Sequence, residues 1–153
     1  MQINIDFNAI EAKALQLADK KCRNIAIRIQ REARRMIHEG PKTGKIYMVG
    51  KNEDRPHQAS APGEAPATDT GNLARHIDFV HIGVAHWRVI SSAEYADLEF
   101  GRTIRNKPKK SKDGGVENEA KTREFGTHRI APRPYMRPSA KKVADETGAK
   151  YSG

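Results

Sequence analysis

Asp69-Thr70-Gly71 is the tripeptide that surrounds the catalytic carboxylate of aspartic proteases, where two carboxylates share a proton and activate water. That chemistry needs an all-β framework with apolar residues beside the triplet. Here Ala67-Thr68 precede it and Asn72-Leu73-Ala74-Arg75 follow it with helical character, so Asp69 or Thr70 reads as the cap of a short helical turn. Gly40-Pro41-Lys42-Thr43-Gly44-Lys45 looks like a phosphate loop at first sight. Its glycine spacing is one residue short of a P-loop, however, and Ile46 stands where a magnesium-binding hydroxyl belongs. His76, His81 and His86 recur every five residues, but alternate side chains of an extended chain point to opposite sides, so adjacent members need not share a face. No Ser, Cys or Lys stands out as an activated nucleophile, because activation needs a base that only the fold could bring close. No enzymatic activity, metal or cofactor is expected.

Charge is the second kind of chemistry. The chain carries 28 Lys and Arg against 19 Asp and Glu, a formal net charge of +9. Residues 102–142 alone hold 13 basic and 4 acidic residues, so nearly all of the excess lies in one late segment. Such a footprint suits a polyanion or an acidic protein surface, or else it is a solvated loop. Arg102, Arg105, Lys107, Lys109, Lys110 and Lys112 are the candidate contacts to a partner or to DNA. The stretch from Arg102 to Arg123 has no aromatic residue to stack on a base, which favours phosphate contact over base reading.

The elements that must position these residues fit one domain over the 153 residues, with a thin core, since only four Phe, four Tyr and one Trp are present. A lone Cys22 excludes an internal disulfide and a cysteine-held zinc. No apolar run approaches the roughly 20 residues of a membrane span, and the first residues lack the pattern of a signal peptide, so a cytosolic protein without membrane contact is expected.

Ile3, Ile5 and Phe7 alternate with polar residues like a short strand. Asn8 and Glu11 then resemble a capping box, and Gly40-Pro41 is a stop signal, which predicts a helix of about 30 residues between them. Its stripe is Leu15, Ala18, Cys22, Ile25, Ile29, Ala33 and Met36. A helix this long overhangs a small sheet, so part of the stripe meets a neighbouring subunit or else lies across the chain's own sheet.

Residues 41–69, rich in Pro and Gly, read as a flexible excursion whose only strand-like piece is Ile46–Val49. Ile77–Ile82 and Trp87–Ile90 read as two strands about a turn at Gly83, Glu94–Phe100 as a short helix, and 102–123 as a flexible loop. Ile130 lies on a returning strand, and Pro138 opens a terminal helix with Ala140, Val143 and Ala144 on its apolar side. The fold class is α+β: a long N-terminal helix on a small, mostly antiparallel sheet, a short C-terminal helix and long loops.

Several blocks stand out in order along the chain: Thr43-Gly44-Lys45-Ile46-Tyr47; His57 to Ala67; Asp69-Thr70-Gly71-Asn72-Leu73; Tyr95-Ala96 with Glu99-Phe100-Gly101; and Glu124-Phe125-Gly126-Thr127 followed by Ala131-Pro132-Arg133-Pro134-Tyr135-Met136-Arg137-Pro138. Together they resemble the neck or tail-completion proteins of tailed double-stranded DNA bacteriophages, small subunits of the head–tail junction. The resemblance covers about residues 43 to 140. The motif residues it singles out are Gly71, Leu73, Tyr95, Phe100, Gly101, Phe125, Gly126, Pro132, Pro134, Tyr135, Arg137 and Pro138.

Relatives of that pattern carry one Glu-Phe-Gly-Thr element, whereas Glu-Phe-Gly occurs twice here, so residues 102–123 look like an insertion. Prolines and glycines in these blocks fix loop shapes, and preorganised loops bind with less ordering cost. For Phe100, Phe125 and Tyr135, anchoring in the core is the expected role.

The resemblance implies a structural virion protein that helps complete the tail and join it to the head. It implies a homo-oligomeric ring, sixfold by analogy with the tail, that meets connector, tail-terminator or tail-tube proteins and the passing DNA. Its location would be the virion, after a stay in the host cytoplasm. The rival expectation is a basic protein that binds nucleic acid nonspecifically.

Overall fold

The computed structural model describes residues 6–50, 54–93, 96–105 and 127–152. Helix α1 runs from Phe7 to Glu39, and Asp6 caps it by accepting the Ala9 N–H at 3.0 Å. The cap therefore lies two residues before the predicted Asn8, and Phe7 belongs to the helix, not to an alternating strand. At the far end Pro41 forces Gly40 into an extended conformation with ψ 159°, which stops the helix as predicted.

The side chains that α1 buries most deeply are Ala26, Gln30, Ala33 and Ile37, spaced four, three and four residues apart. Of the predicted stripe only Ala33 lies on this line, which is otherwise rotated from it: Cys22, Ile25, Ile29 and Met36 are half-buried at its margin, while Leu15 and Ala18 are exposed. The rotation has a polar cause. Gln30 Nε2 and an Arg34 guanidinium nitrogen both donate to the Ile77 carbonyl, each at 2.7 Å, and so turn that face of α1 toward the sheet.

Strands β1 (Ile46–Val49) and β2 (Arg55–Gln58) form an antiparallel hairpin within the expected flexible excursion. A four-residue helix α2 (Asn72–Arg75) leads into β3 (Ile77–Gly83), which pairs with β4 (His86–Ser91) in the predicted hairpin. A 3₁₀ turn at Ala96–Glu99 replaces the predicted short helix there. Strand β5 (Arg102–Arg105) pairs with β6 (Thr127–Ile130), so Arg102 and Arg105 stand on a strand and not in a loop. Helix α3 (Met136–Thr147) closes the described chain.

The class is α+β as read from the sequence, but the strands form three two-stranded ladders instead of one sheet. Two local features limit their growth. Pro56 lacks an N–H to donate to a further strand, and α1 side chains take the Ile77 carbonyl.

Helix α3 lies antiparallel along α1. Ser139 Oγ meets Met36 Sδ at 3.1 Å, Lys142 pairs with Glu32 at 2.8 Å, and Arg28 with Glu146 at 2.5 Å. Between α1, α2, β3 and the start of α3 sits the core of Ala33, Ile37, Ala65, Leu73, Ala74, Ile77, Ala93 and Tyr135. Four of these eight are alanines, so the elements approach closely and tolerate little added volume.

Candidate functional site

The separated sequence blocks meet in space through three polar side chains. Glu99 is the first. It lies at the end of the 3₁₀ turn with only 7% of its surface exposed, and its carboxylate accepts the N–H groups of Tyr135 at 2.7 Å, Met136 at 2.9 Å and Arg137 at 3.0 Å. These are free donors at the start of α3, where the helix dipole also favours a negative charge. The next residue but one, Gly101, then turns the chain with φ 76°, and a Cβ there would lie 2.6 Å from the Ile130 carbonyl. Only glycine fits.

Glu64 is the second. It accepts the Thr43 hydroxyl at 2.6 Å, the Thr43 N–H at 3.0 Å and the Ala61 N–H at 2.7 Å. These bonds, the hydroxyl of Thr43 foremost, hold the Glu64 carboxyl below its ordinary range. Arg133 is the third. Its guanidinium donates to the carbonyl and hydroxyl oxygens of the buried Ser60, while its N–H donates to the Leu98 carbonyl at 2.7 Å. The Gly63 N–H donates to the Pro132 carbonyl at 3.0 Å beside it. The expected flexible segment 41–69 is thus, where described, a hairpin followed by a loop that these bonds fix.

Tyr135 is fully buried, as expected, and burial pushes its phenol upward in pKa. Phe100 is not a core anchor: it is 65% exposed. Glu99 takes the inward position of the turn, which sends its neighbour outward, where the Arg137 guanidinium stacks 4.7 Å from the Phe100 ring centre. Leu73 is buried, and Pro134 and Pro138 are half-buried, whereas Pro132 is exposed. Tyr95, Phe125, Gly126, Lys107, Lys109, Lys110 and Lys112 lie outside the described residues.

The residues first weighed for catalysis disperse. Asp69 faces Arg55 at 3.6 Å. Neither it nor Thr70 is the N-cap of α2; that position is Gly71 at φ 72°, steadied by its N–H donating to Thr68 Oγ1 at 2.7 Å, while Thr70 Oγ1 accepts the Asn72 N–H at 3.4 Å. His76 Nδ1 sits 2.8 Å from the Asn72 carbonyl, and His81 stacks 4.7 Å from Trp87. Among the described residues no group of three or more His, Cys, Asp or Glu side chains is placed to hold a metal ion.

A further clamp carried no sequence signal. Asp19 Oδ1, on α1, accepts the Trp87 indole N–H at 2.9 Å and the Ala85 N–H at 3.0 Å, at the tip of the β3–β4 hairpin. An acidic residue within a helix looks like a solvated one until the hairpin arrives. Glu64, Glu99 and Arg133 do lie inside the sequence blocks, but as constituents of a pattern, without their roles.

No protein-family model, curated protein or solved structure matches the chain.

Proposed function

We propose that this chain is a structural joining subunit, a neck or tail-completion protein of the head–tail junction of a tailed double-stranded DNA bacteriophage, with no enzymatic role. The observation that carries the reading is the bonding between blocks far apart in sequence. Thr43 bonds to Glu64, Ser60 to Arg133, and Tyr135 to Glu99, so these described parts of separated blocks brace one another. Bracing of this kind costs many polar groups and leaves Phe100 with Arg137 on the outside as a ready aromatic–arginine anchor.

In this reading the subunits close into a ring, six by resemblance, against connector, tail-terminator or tail-tube proteins around the DNA channel. The subunit waits in the host cytoplasm and ends in the virion. Adding purified subunits to particles that lack them is the test: restored head–tail joining and infectivity are expected. Infectious particles assembled in the complete absence of the polypeptide would overturn the reading.

The rival, nonspecific nucleic-acid binding, draws on the 13 basic residues between 102 and 142. It requires DNA affinity that falls steeply with salt and no affinity for tails or connectors.

A further inference from the structure

The solvent side of α1 carries charge of one sign. From Lys20 to His38 the helix holds seven Lys and Arg residues and a single acidic one, Glu32. Arg34 turns inward to the Ile77 carbonyl and Asp78, and the Arg23 guanidinium lies 6.0 Å from the Trp87 ring centre. The other five stand away from the buried line of Ala26, Gln30, Ala33 and Ile37. Lys20, Asn24, Arg28, Arg31 and Arg35 follow one another at steps of four, four, three and four residues, and Lys21 flanks them. The row is about 22 Å long, and every exposed residue from Lys20 to Arg35 is Lys, Arg or Asn.

Only part of this charge is neutralised within the molecule. Arg28 meets Glu146, and Arg35 meets Glu32 and Glu39, in surface pairs that leave both guanidinium groups half exposed and free to exchange partners. Lys20, Lys21 and Arg31 have no carboxylate partner among the described residues. The residues outside the described ranges bring no excess of negative charge to offset them. Arg28, Arg31 and Arg35 also share a shallow cavity of about 260 Å³ with Glu32, Val143 and Glu146, where α1 meets α3.

Such a row matches a linear polyanion better than a protein surface. A protein interface is anchored by apolar or aromatic side chains at its centre, and this face has none. Duplex DNA presents one charge per about 1.7 Å of its axis, and its phosphates accept hydrogen bonds from Lys, Arg and Asn alike. We infer that the outward face of α1, and not the late basic segment, is where this chain meets duplex DNA, holding phosphates without reading sequence. The contact goes beyond the joining role and does not depend on it, since free duplexes report it and particle joining does not.

The test measures binding of the full-length chain to two unrelated duplexes of about 30 base pairs by fluorescence anisotropy over a range of salt concentrations. Equal affinity for both, falling steeply with salt, is expected. The combined changes Lys20→Gln, Lys21→Gln and Arg31→Gln should lower affinity at least about tenfold and flatten the logarithmic salt slope by about three. Helical circular dichroism should stay unchanged, because glutamine favours a helix about as well as lysine and arginine do. Lys107→Gln, Lys109→Gln and Lys110→Gln together remove the same charge and should cost less than about threefold. Equal losses from the two triple variants would assign binding to net charge and overturn the inference. No binding at low salt, a marked preference between the duplexes, or tighter binding of polyglutamate than of DNA would overturn it as well.

Discussion

The carboxylate of Asp19, midway along α1, accepts the indole N–H of Trp87 at 2.9 Å and thereby fixes the tip of the β3–β4 hairpin against the helix. The same oxygen holds the N–H of Ala85, the one non-glycine residue with positive φ among those described, at 54°. The bond from Trp87 is the main cause that keeps the Asp19 carboxyl below its ordinary value of 3.8. A carboxylate whose folded pKa is lowered stabilises the fold above its unfolded pKa and loses that contribution as pH falls through the folded one. The hairpin tip should therefore loosen first below about pH 4, read as a rise in Trp87 fluorescence quenching by iodide. Asp19→Asn should bring that loosening to neutral pH, and an unchanged quenching profile would contradict the clamp.

Glu32 couples α1 to α3. It accepts from Arg35 at 2.7 Å and from Lys142 at 2.8 Å, and these bonds, led by Arg35, bring its pKa down from 4.5 to about 2. Its stabilising effect is complete above pH 4.5 and fades as pH falls toward 2. Glu32→Gln should cost about 1 kcal/mol at neutral pH and flatten the stability profile in that window, as measured by urea unfolding at several pH values.

Glu99→Ala removes the acceptor of three N–H groups in a buried place. A loss of about 2–3 kcal/mol is expected, or a fall in Tm of roughly 5–10 °C. Glu99→Gln keeps an acceptor oxygen and should recover part of the loss. Equal damage from both would assign the role to charge instead of bonding.

Gly101→Ala meets both a left-handed backbone and the Ile130 carbonyl, 2.6 Å from the new carbon. The change should destabilise by at least about 2 kcal/mol in denaturant unfolding. Gly148, also left-handed at φ 67° but with nothing within 4 Å of a Cβ, should cost only about 1 kcal/mol when changed to Ala.

Phe100→Ala should leave stability within about 0.5 kcal/mol, because the ring lies outside the core. Under the proposed joining role, the same variant should lose most of its capacity to restore particle joining, since aromatic–arginine anchors carry a large share of interface energy. Full restoration by Phe100→Ala would remove Phe100 from the joining surface.

Local pattern was enough for the elements whose signals are local. Pro41 ends α1 because proline constrains the residue before it, the Ile77–Ile90 hairpin follows its β-rich runs, and α3 follows Pro138 and the spacing of Val143 and Ala144. What only the tertiary structure decided were the choices between equivalent local options. Periodicity marked a broad apolar side of α1, but the bonds from Gln30 and Arg34 to Ile77, more than forty residues away, selected which line of it is buried. Glu64, Glu99 and Asp19 look alike in sequence as polar residues in polar surroundings. Each became a structural bond when the fold delivered unpaired N–H groups to it, and the same step turned Phe100 outward by giving the inward place to Glu99. Hydrogen-bond partners are set by proximity in space, and a one-dimensional pattern does not contain it.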